Sequence, residues 1–305
     1  MDSPPAVDGG ADAQCVAFLS NVFWGTVAST VLLGVSLCQG YFYFSHNDDR
    51  LALKLYVTAL LLLDISSSIV WSIGLRKSLL KSSVYAYIAP YAAAESVGTL
   101  AIAFLTQIFF AHRVYIFGSN RPVIPTIIVI FALVGFVAGL NRVTFGLTSA
   151  MDMIETRTFK ILNVFEIGFA AMSDIVATVA MCFLLVEFAM DTRRAASLLR
   201  HMIMYTVNRG LVVTLIQVLL LALYLRDSLG LSWIPFHMVI GKLYVNTFLA
   251  MLNSRRRLKA KSSFPNHSGI TAISSTIVVS ARVNSAGNMT AALDRMPSTA
   301  QQQEF

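Results

Sequence analysis

Six ionisable side chains stand inside long apolar runs of this chain: Asp64, Glu95, Glu166, Asp174, Arg209 and Lys242. Gln39, Asn208 and Asn246 add neutral polar groups to the same runs. Such a set is open to three kinds of chemistry. Acids and bases at one depth can close on each other as ion pairs. A buried lysine beside a carboxylate can carry a Schiff base, and a string of acids and bases can pass a proton or an ion. Lys242 is the sharpest case. It lies nine residues after Trp233 and ten before Leu252, roughly 14 Å of helix from either end of its run. Its stem is too short to carry the ammonium to water from there, so it must find a carboxylate. Asp64 and Asp174 fall at matching depth, and Asn246, one turn on, shares the face of Lys242. The expectation is a central polar network of Asp64, Asp174, Lys242 and Asn246 that fixes helix packing.

Glu95 and Glu166 fall in the other candidate group. They stand nearer one end of their runs with no evident basic partner, and are either protonated or ligand-facing, open to a cationic or hydrogen-bonding molecule. Arg113, Asn208, Arg209 and Asn253 gather toward the opposite end. The residues around Lys242 and in the third run do not resemble either class of rhodopsin, which argues against a retinal-type Schiff base. Nor does the sequence assemble a catalytic centre. The five histidines, His46, His112, His201, His237 and His267, are scattered, and none is paired at i, i+4 for metal ligation. There is no Gly-x-Ser-x-Gly, no aspartate pair in a Gly-Asp context and no phosphate-cradling loop. No catalytic residue, metal or cofactor is expected, and the chain is read as a non-enzyme.

The elements that must hold these residues follow from composition. With 56% hydrophobic and 13% charged residues, and a strongly positive mean hydropathy, 305 residues are too apolar for a soluble domain. Seven runs, about 16–44, 51–74, 86–112, 123–140, 161–190, 203–225 and 231–252, are long enough to cross roughly 30 Å of hydrocarbon. They lack strand-like alternation, which predicts helices rather than a barrel. Short polar connections such as "HNDDR", "GSNRP", "DTRRAASLLR" and "RDSLG" make successive helices antiparallel neighbours. The longest, 141–160, has room for a short surface helix. The fold class is therefore all-α: a polytopic membrane protein with a bundle of seven transmembrane helices and a disordered C-terminal tail.

Charge sets the orientation. Residues 1–15 carry three Asp and no Lys or Arg, whereas Arg255, Arg256, Arg257, Lys259 and Lys261 flank the last run. The positive-inside rule places the N-terminus outside and the tail in the cytoplasm. Arg113, Arg121, Arg193, Arg194 and Arg200 then fall inside; Arg76, Lys77, Lys81, Arg142, Arg157 and Lys160 fall outside, against the rule. The acidic start has no basic n-region, so the first helix is expected to act as its own insertion signal. The domains are a short extracellular or lumenal N-terminus (1–15), the seven-helix region (16–254) and a cytoplasmic tail (255–305). The tail is rich in Ser, Thr, Ala, Asn and Gln, and only "TAISSTIVVSARV" in it has strand character. The net charge of +7 is a topology signal without a basic, aromatic-laced stripe, so nucleic acid is not an expected partner. The lipid bilayer is, whether plasma membrane or endomembrane.

Several stretches carry a family likeness: "GVSLCQGYFYFSHNDDRLALKLYVTALLLLDISSS", "LTQIFFAHRVYIFG", "SDIVATVAMCFLL", "YTVNRGLVVTL" and "GKLYVNTFLAMLNSRRR". Over about residues 25–257 the chain resembles a large family of seven-helix membrane proteins, known mostly from mushroom-forming fungi and catalogued as a domain of unknown function. Its motif positions are matched by Gln39, Tyr43, Asp49, Lys54 and Asp64, by Gln107, Phe110 and Arg113, by Ser173 and Asp174, and by Lys242, Tyr244, Asn246, Leu252, Asn253 and Arg255. Arg209 in "NRG" departs from the pattern, which usually has an uncharged residue before the glycine, and "NTFLAMLN" stands where "NSLLATLN" is typical. The resemblance implies seven helices and a membrane location, and supplies no ligand or activity.

The leading functional expectation is a receptor-like or sensor protein with a small-molecule ligand between the helices near Glu95 and Glu166 and a cytoplasmic protein partner. Its rivals are a proton- or ion-coupled transporter and a scaffold with no ligand. Orientation is testable at once, because Asn-x-Ser/Thr occurs only at Asn266 and Asn288, both in the tail. Glycosidase treatment should leave a C-terminally tagged protein unshifted, and the tag should resist protease in vesicles sealed with the cytoplasmic face inward. Glycans at either asparagine would reverse the orientation.

Overall fold

The computed structural model describes residues 9–47, 49–80, 84–118, 121–148, 156–191, 196–226 and 232–262. Among them are seven helices and no strand: α1 (Gly9–His46), α2 (Leu51–Leu79), α3 (Val84–Phe117), α4 (Val123–Thr148), α5 (Arg157–Asp191), α6 (Ala196–Arg226) and α7 (Ile234–Ser262). Each contains a stretch of length and composition sufficient to cross a membrane. A helix satisfies its own backbone hydrogen bonds, the condition for any chain segment in hydrocarbon. The bundle described below is the unit that ends at Arg257; of the unit beginning at Leu258, only the end of α7 lies among the described residues.

The radial distribution of side chains is that of a protein in lipid. Phe23, Trp24, Leu62, Phe183 and Leu211 face outward, while Asp64, Glu95, Gln107, Asp174, Arg209, Gln217 and Lys242 are buried. Polar groups gather inside because only there can they find partners. Successive helices from α2 to α6 pack side by side, and α3 also touches α5. The seventh helix is the hub. It is 56% buried over its span, against 22% for α1, and its side chains reach α1, α2, α3, α5 and α6.

Where two helices approach closely, small residues line the seam, as van der Waals packing in lipid requires. Gly210 on α6 lies so near Thr178 on α5 that an added Cβ would stand 2.2 Å from its Oγ1 and 2.6 Å from its Cγ2. Gly241 on α7 meets Thr99 of α3 in the same manner, at 2.8 Å from Oγ1.

Most helices run past the expected spans, among them α2 to Leu79, α6 from Ala196 and α7 to Ser262, and the change at α4 matters most. The fourth span, expected to end at 140, continues to Thr148, so Arg142 is a buried residue of α4 rather than part of an outer loop. The 141–160 connection thereby shortens to the stretch before Arg157, most of which, 149–155, lies outside the described residues. The tail beyond Ser262, with its strand-like segment, lies outside them too. The α5–α6 seam makes a direct test. Gly210→Ala should destabilise the protein by about 1–3 kcal/mol, the usual penalty of overpacking, read as a lower unfolding temperature in detergent or nanodiscs. Adding Thr178→Ala should recover part of the loss, because it removes the two nearest clashing atoms.

Candidate functional site

Three buried polar clusters occupy the bundle. The first joins α2 to α7. Lys242 Nζ lies 2.6 Å from Asp64 Oδ1, 2.8 Å from the Asp64 carbonyl oxygen, 2.6 Å from Ser68 Oγ and 3.2 Å from Ser67 Oγ. Asp64 and Lys242 are 0% and 4% exposed, so the ammonium, with three N–H donors, is saturated by one helix wall. Both serines also donate to the Asp64 carbonyl, which holds their oxygens toward the lysine. Asn246, one turn along α7, donates to the carbonyls of Lys242 and of Leu32 on α1, both at 2.9 Å. The cluster is closed around the ammonium, while Asp64 Oδ2 and Asn246 Oδ1 are buried without a partner, and it ties three helices together.

Asp174 belongs to a different cluster, contrary to the expectation of one central network. Its Oδ1 receives Arg209 Nη2 of α6 at 3.2 Å, and its Oδ2 receives the Tyr244 hydroxyl of α7. That hydroxyl in turn accepts Gln217 Nε2 at 2.9 Å. The reason is azimuth. Lys242 and Tyr244 are two residues apart, about 200° around the helix, so α7 turns its lysine to α2 and its tyrosine to α5. Depth along the chain matched Asp174 to Lys242, but the two point to opposite sides. Arg209 is further held by the Phe110 ring, whose centroid is 3.7 Å from the guanidinium carbon, a contact of the cation–π type.

The third cluster contains the two acids expected to lack basic partners. Glu166 on α5 is bound in a fork by Arg142 of α4, at 2.5 Å from Nε to Oε2 and 3.3 Å from Nη2 to Oε1. Glu95 on α3 accepts Thr99 Oγ1 at 2.9 Å, and His237 Nε2 of α7 lies 3.5 Å from its other oxygen. The same ring nitrogen is 3.1 Å from Ser96 Oγ. Sequence reasoning missed the partners because Arg142 had been set in a loop and His237 near a span end had no sign of its direction.

The four residues grouped toward the other end do not converge. Arg209 turns inward to Asp174, and Asn208 beside it is exposed. Arg113 lies over Phe109 and near Met251 Sδ. Asn253 donates to the Gln39 carbonyl of α1 and accepts from Asn47 Nδ2.

Between the second and third clusters is a cavity of about 60 Å³, walled by α3 to α7. Its polar lining is Thr99, Gln107, Asn163, Glu166, Gln217, His237 and Tyr244. At about 30 Å³ for one water in the liquid, this has room for roughly two. Glu166 lines the cavity, whereas Glu95 stands one contact behind it, against His237. Asn163, Gln217 and His237 were not singled out from the sequence as lining residues; a glutamine in mid-span was the available signal. Among the described residues no three His, Cys, Asp or Glu side chains come together as a metal site.

Fold and polar interior define an integral, multi-pass membrane protein of seven helices in contact with the lipid bilayer. Residues 170–257 match the model of a family of unknown function, DUF6534, which supports assignment to an uncharacterised family over α5 to α7. No curated protein and no solved structure matches the chain. The matched stretch contains Gln217, Tyr244, both partners of the Asp174–Arg209 pair and the α7 partner of the Asp64–Lys242 pair.

The closed cluster makes a sharp prediction. Lys242→Met leaves Asp64 buried without its base, and breaking such a pair costs about 3–5 kcal/mol. The unfolding temperature should fall accordingly, and Asp64→Leu combined with Lys242→Met should regain much of it. An unchanged single variant would mean the pair does not hold α2 to α7.

Proposed function

We propose that this protein is receptor-like: a small ligand enters the cavity between α3 and α7, and its presence is passed along the bundle to a cytoplasmic partner. The observation that carries the reading is the hydrogen-bonded chain that starts on the cavity wall at Gln217, runs through the Tyr244 hydroxyl to Asp174, and ends at Arg209 against Phe110. It links three helices in one direction. A ligand that competes for the Gln217 amide loosens Tyr244, and Tyr244 shares Asp174 with Arg209. Displacement of either donor changes how α6 sits on α5 and α7, so the cavity and the Arg209 end are energetically coupled. With the N-terminus outside, the Arg113 region, residues 191–200 across the end of α5 and the start of α6, and the basic flank after Ser254 face the cytoplasm and form the partner surface. A transporter would instead need a path through the bundle. The carboxylates of Asp64, Asp174 and Glu166 are each held by a base, which favours a fixed interior over a conducting one.

The test uses the protein in nanodiscs and a panel of small alcohols, amides, amines and acids. A compound that occupies the cavity should raise the unfolding temperature saturably in the native protein and fail to do so in Ala103→Leu, whose added carbons fill the space that Ala103 lines. The same compound should change the rate of tryptic cleavage at Arg193, Arg194 or Arg200 several-fold. Tyr244→Phe should keep the thermal shift and lose the change in cleavage. Cleavage that responds equally in Tyr244→Phe would exclude the Gln217–Arg209 chain as the route, and substrate-dependent proton flux in liposomes would favour transport.

A further inference from the structure

We infer that the cavity selects a small neutral molecule with a hydrogen-bonding head, of the alcohol or carboxamide class, and discriminates against cations and anions. This rests on the receptor-like reading and narrows it. A pair of buried acids beside a cavity ordinarily argues for a cationic ligand. Here the acids are already engaged. Glu166 is forked by Arg142, and Glu95 holds Thr99 and faces His237. A second cation near Glu166 would lie against the Arg142 guanidinium, and an anion would meet the carboxylates of Glu95, Glu166 and Asp174. Either charge would leave water for a site without a free counter-charge, an expensive transfer in a low-dielectric interior.

The groups with unused hydrogen-bonding capacity are carboxamides. Asn163 on α5 lines the cavity, is 7% exposed and has no hydrogen bond or ion pair among the described residues. Gln217 on α6 lines it too; its Nε2 donates to Tyr244, while its Oε1 is buried without a partner. One amide with both ends available and one lacking a donor ask for a ligand that both gives and accepts a hydrogen bond. A hydroxyl or carboxamide does so without net charge. The apolar part of the wall includes the Phe104 and Phe136 rings, stacked at 4.8 Å between centroids, with Leu100 and Ile167. This suits a short hydrocarbon body. The volume of about 60 Å³, well under the roughly 150 Å³ that accommodates benzene, limits the ligand to roughly two to four non-hydrogen atoms.

A size-matched series tests the class: acetamide, ethanol, ethylammonium and acetate, each titrated against the full-length protein in nanodiscs with the unfolding temperature as readout. Acetamide and ethanol should give saturable rises of a few degrees, with ethylammonium and acetate at least tenfold weaker. Asn163→Leu should weaken acetamide by about tenfold. Asn163 makes no hydrogen bond among the described residues, so this variant should fold, and Ala103→Leu should abolish the response to every compound. A preference for ethylammonium or acetate that Ala103→Leu abolishes would overturn the neutral class and leave the ligand cavity standing. Absence of a saturable response to all four in the native protein would overturn both the class and the cavity reading. So would responses identical in native and Ala103→Leu proteins.

Discussion

A charge carried into hydrocarbon must bring its own counter-charge, because no water is there to receive it. That constraint organises this bundle more than any apolar contact does. Lipid tails are as apolar as the leucines they meet, so hydrophobic burial gives the helices little reason to prefer each other over lipid. The ion pairs do give a reason. Asp64 with Lys242 joins α2 to α7, Asp174 with Arg209 joins α5 to α6, and Glu166 with Arg142 joins α4 to α5. Each pair is satisfied at one relative rotation of two helices. Small residues such as Gly210 and Gly241 then let the backbones approach to the distance at which the pairs close.

Helix α7 shows how a single element serves several partners. Lys242, Tyr244 and Asn246 lie within five residues yet contact α2, α5 and α1 in turn. An α-helix advances about 100° per residue, so alternate residues face nearly opposite ways. A helix surrounded by others can therefore use every face, and α7 has the most enclosed span of the seven. On α1, at the other extreme, Phe23 and Trp24 face outward, and the buried side chains include Phe18, Val22 and Tyr43 with the small polar groups of Ser29 and Ser36.

Those differences decide what could be read from the sequence. The spans were legible because hydropathy needs only local composition, and all seven runs correspond to helices. The depth of each charge was legible for the same reason. Azimuth was not. Which way a side chain faces within a bundle depends on which helices surround it, and a helix that is apolar on all sides has no amphipathic stripe to show its inward face. Asp174 and Lys242 matched in depth and parted in direction. Arg142 failed differently: a basic residue two positions past the expected span end reads as a loop residue, and only the approach of Glu166 from α5 draws it into the interior.

The interior divides into parts with opposite properties. Around Lys242 the ammonium's three donors meet a carboxylate, a carbonyl and two hydroxyls. The base has no donor left over, although Asp64 Oδ2 and Asn246 Oδ1 are buried without a partner, and the energetic effect of the cluster is to hold α2, α7 and, through Asn246, α1 in register. Around Gln217 the satisfaction is partial. Asn163 has no partner among the described residues, Gln217 has one, and a cavity separates them from the Arg142–Glu166 fork. Unmet hydrogen-bonding capacity in a low-dielectric interior destabilises the fold. Water relieves some of that penalty, and a ligand that matches both amides relieves more. The Asp64–Lys242 cluster fixes α2 against α7; on the receptor-like reading proposed above, occupancy of the cavity acts on Tyr244 and Arg209 rather than on the packing of α2.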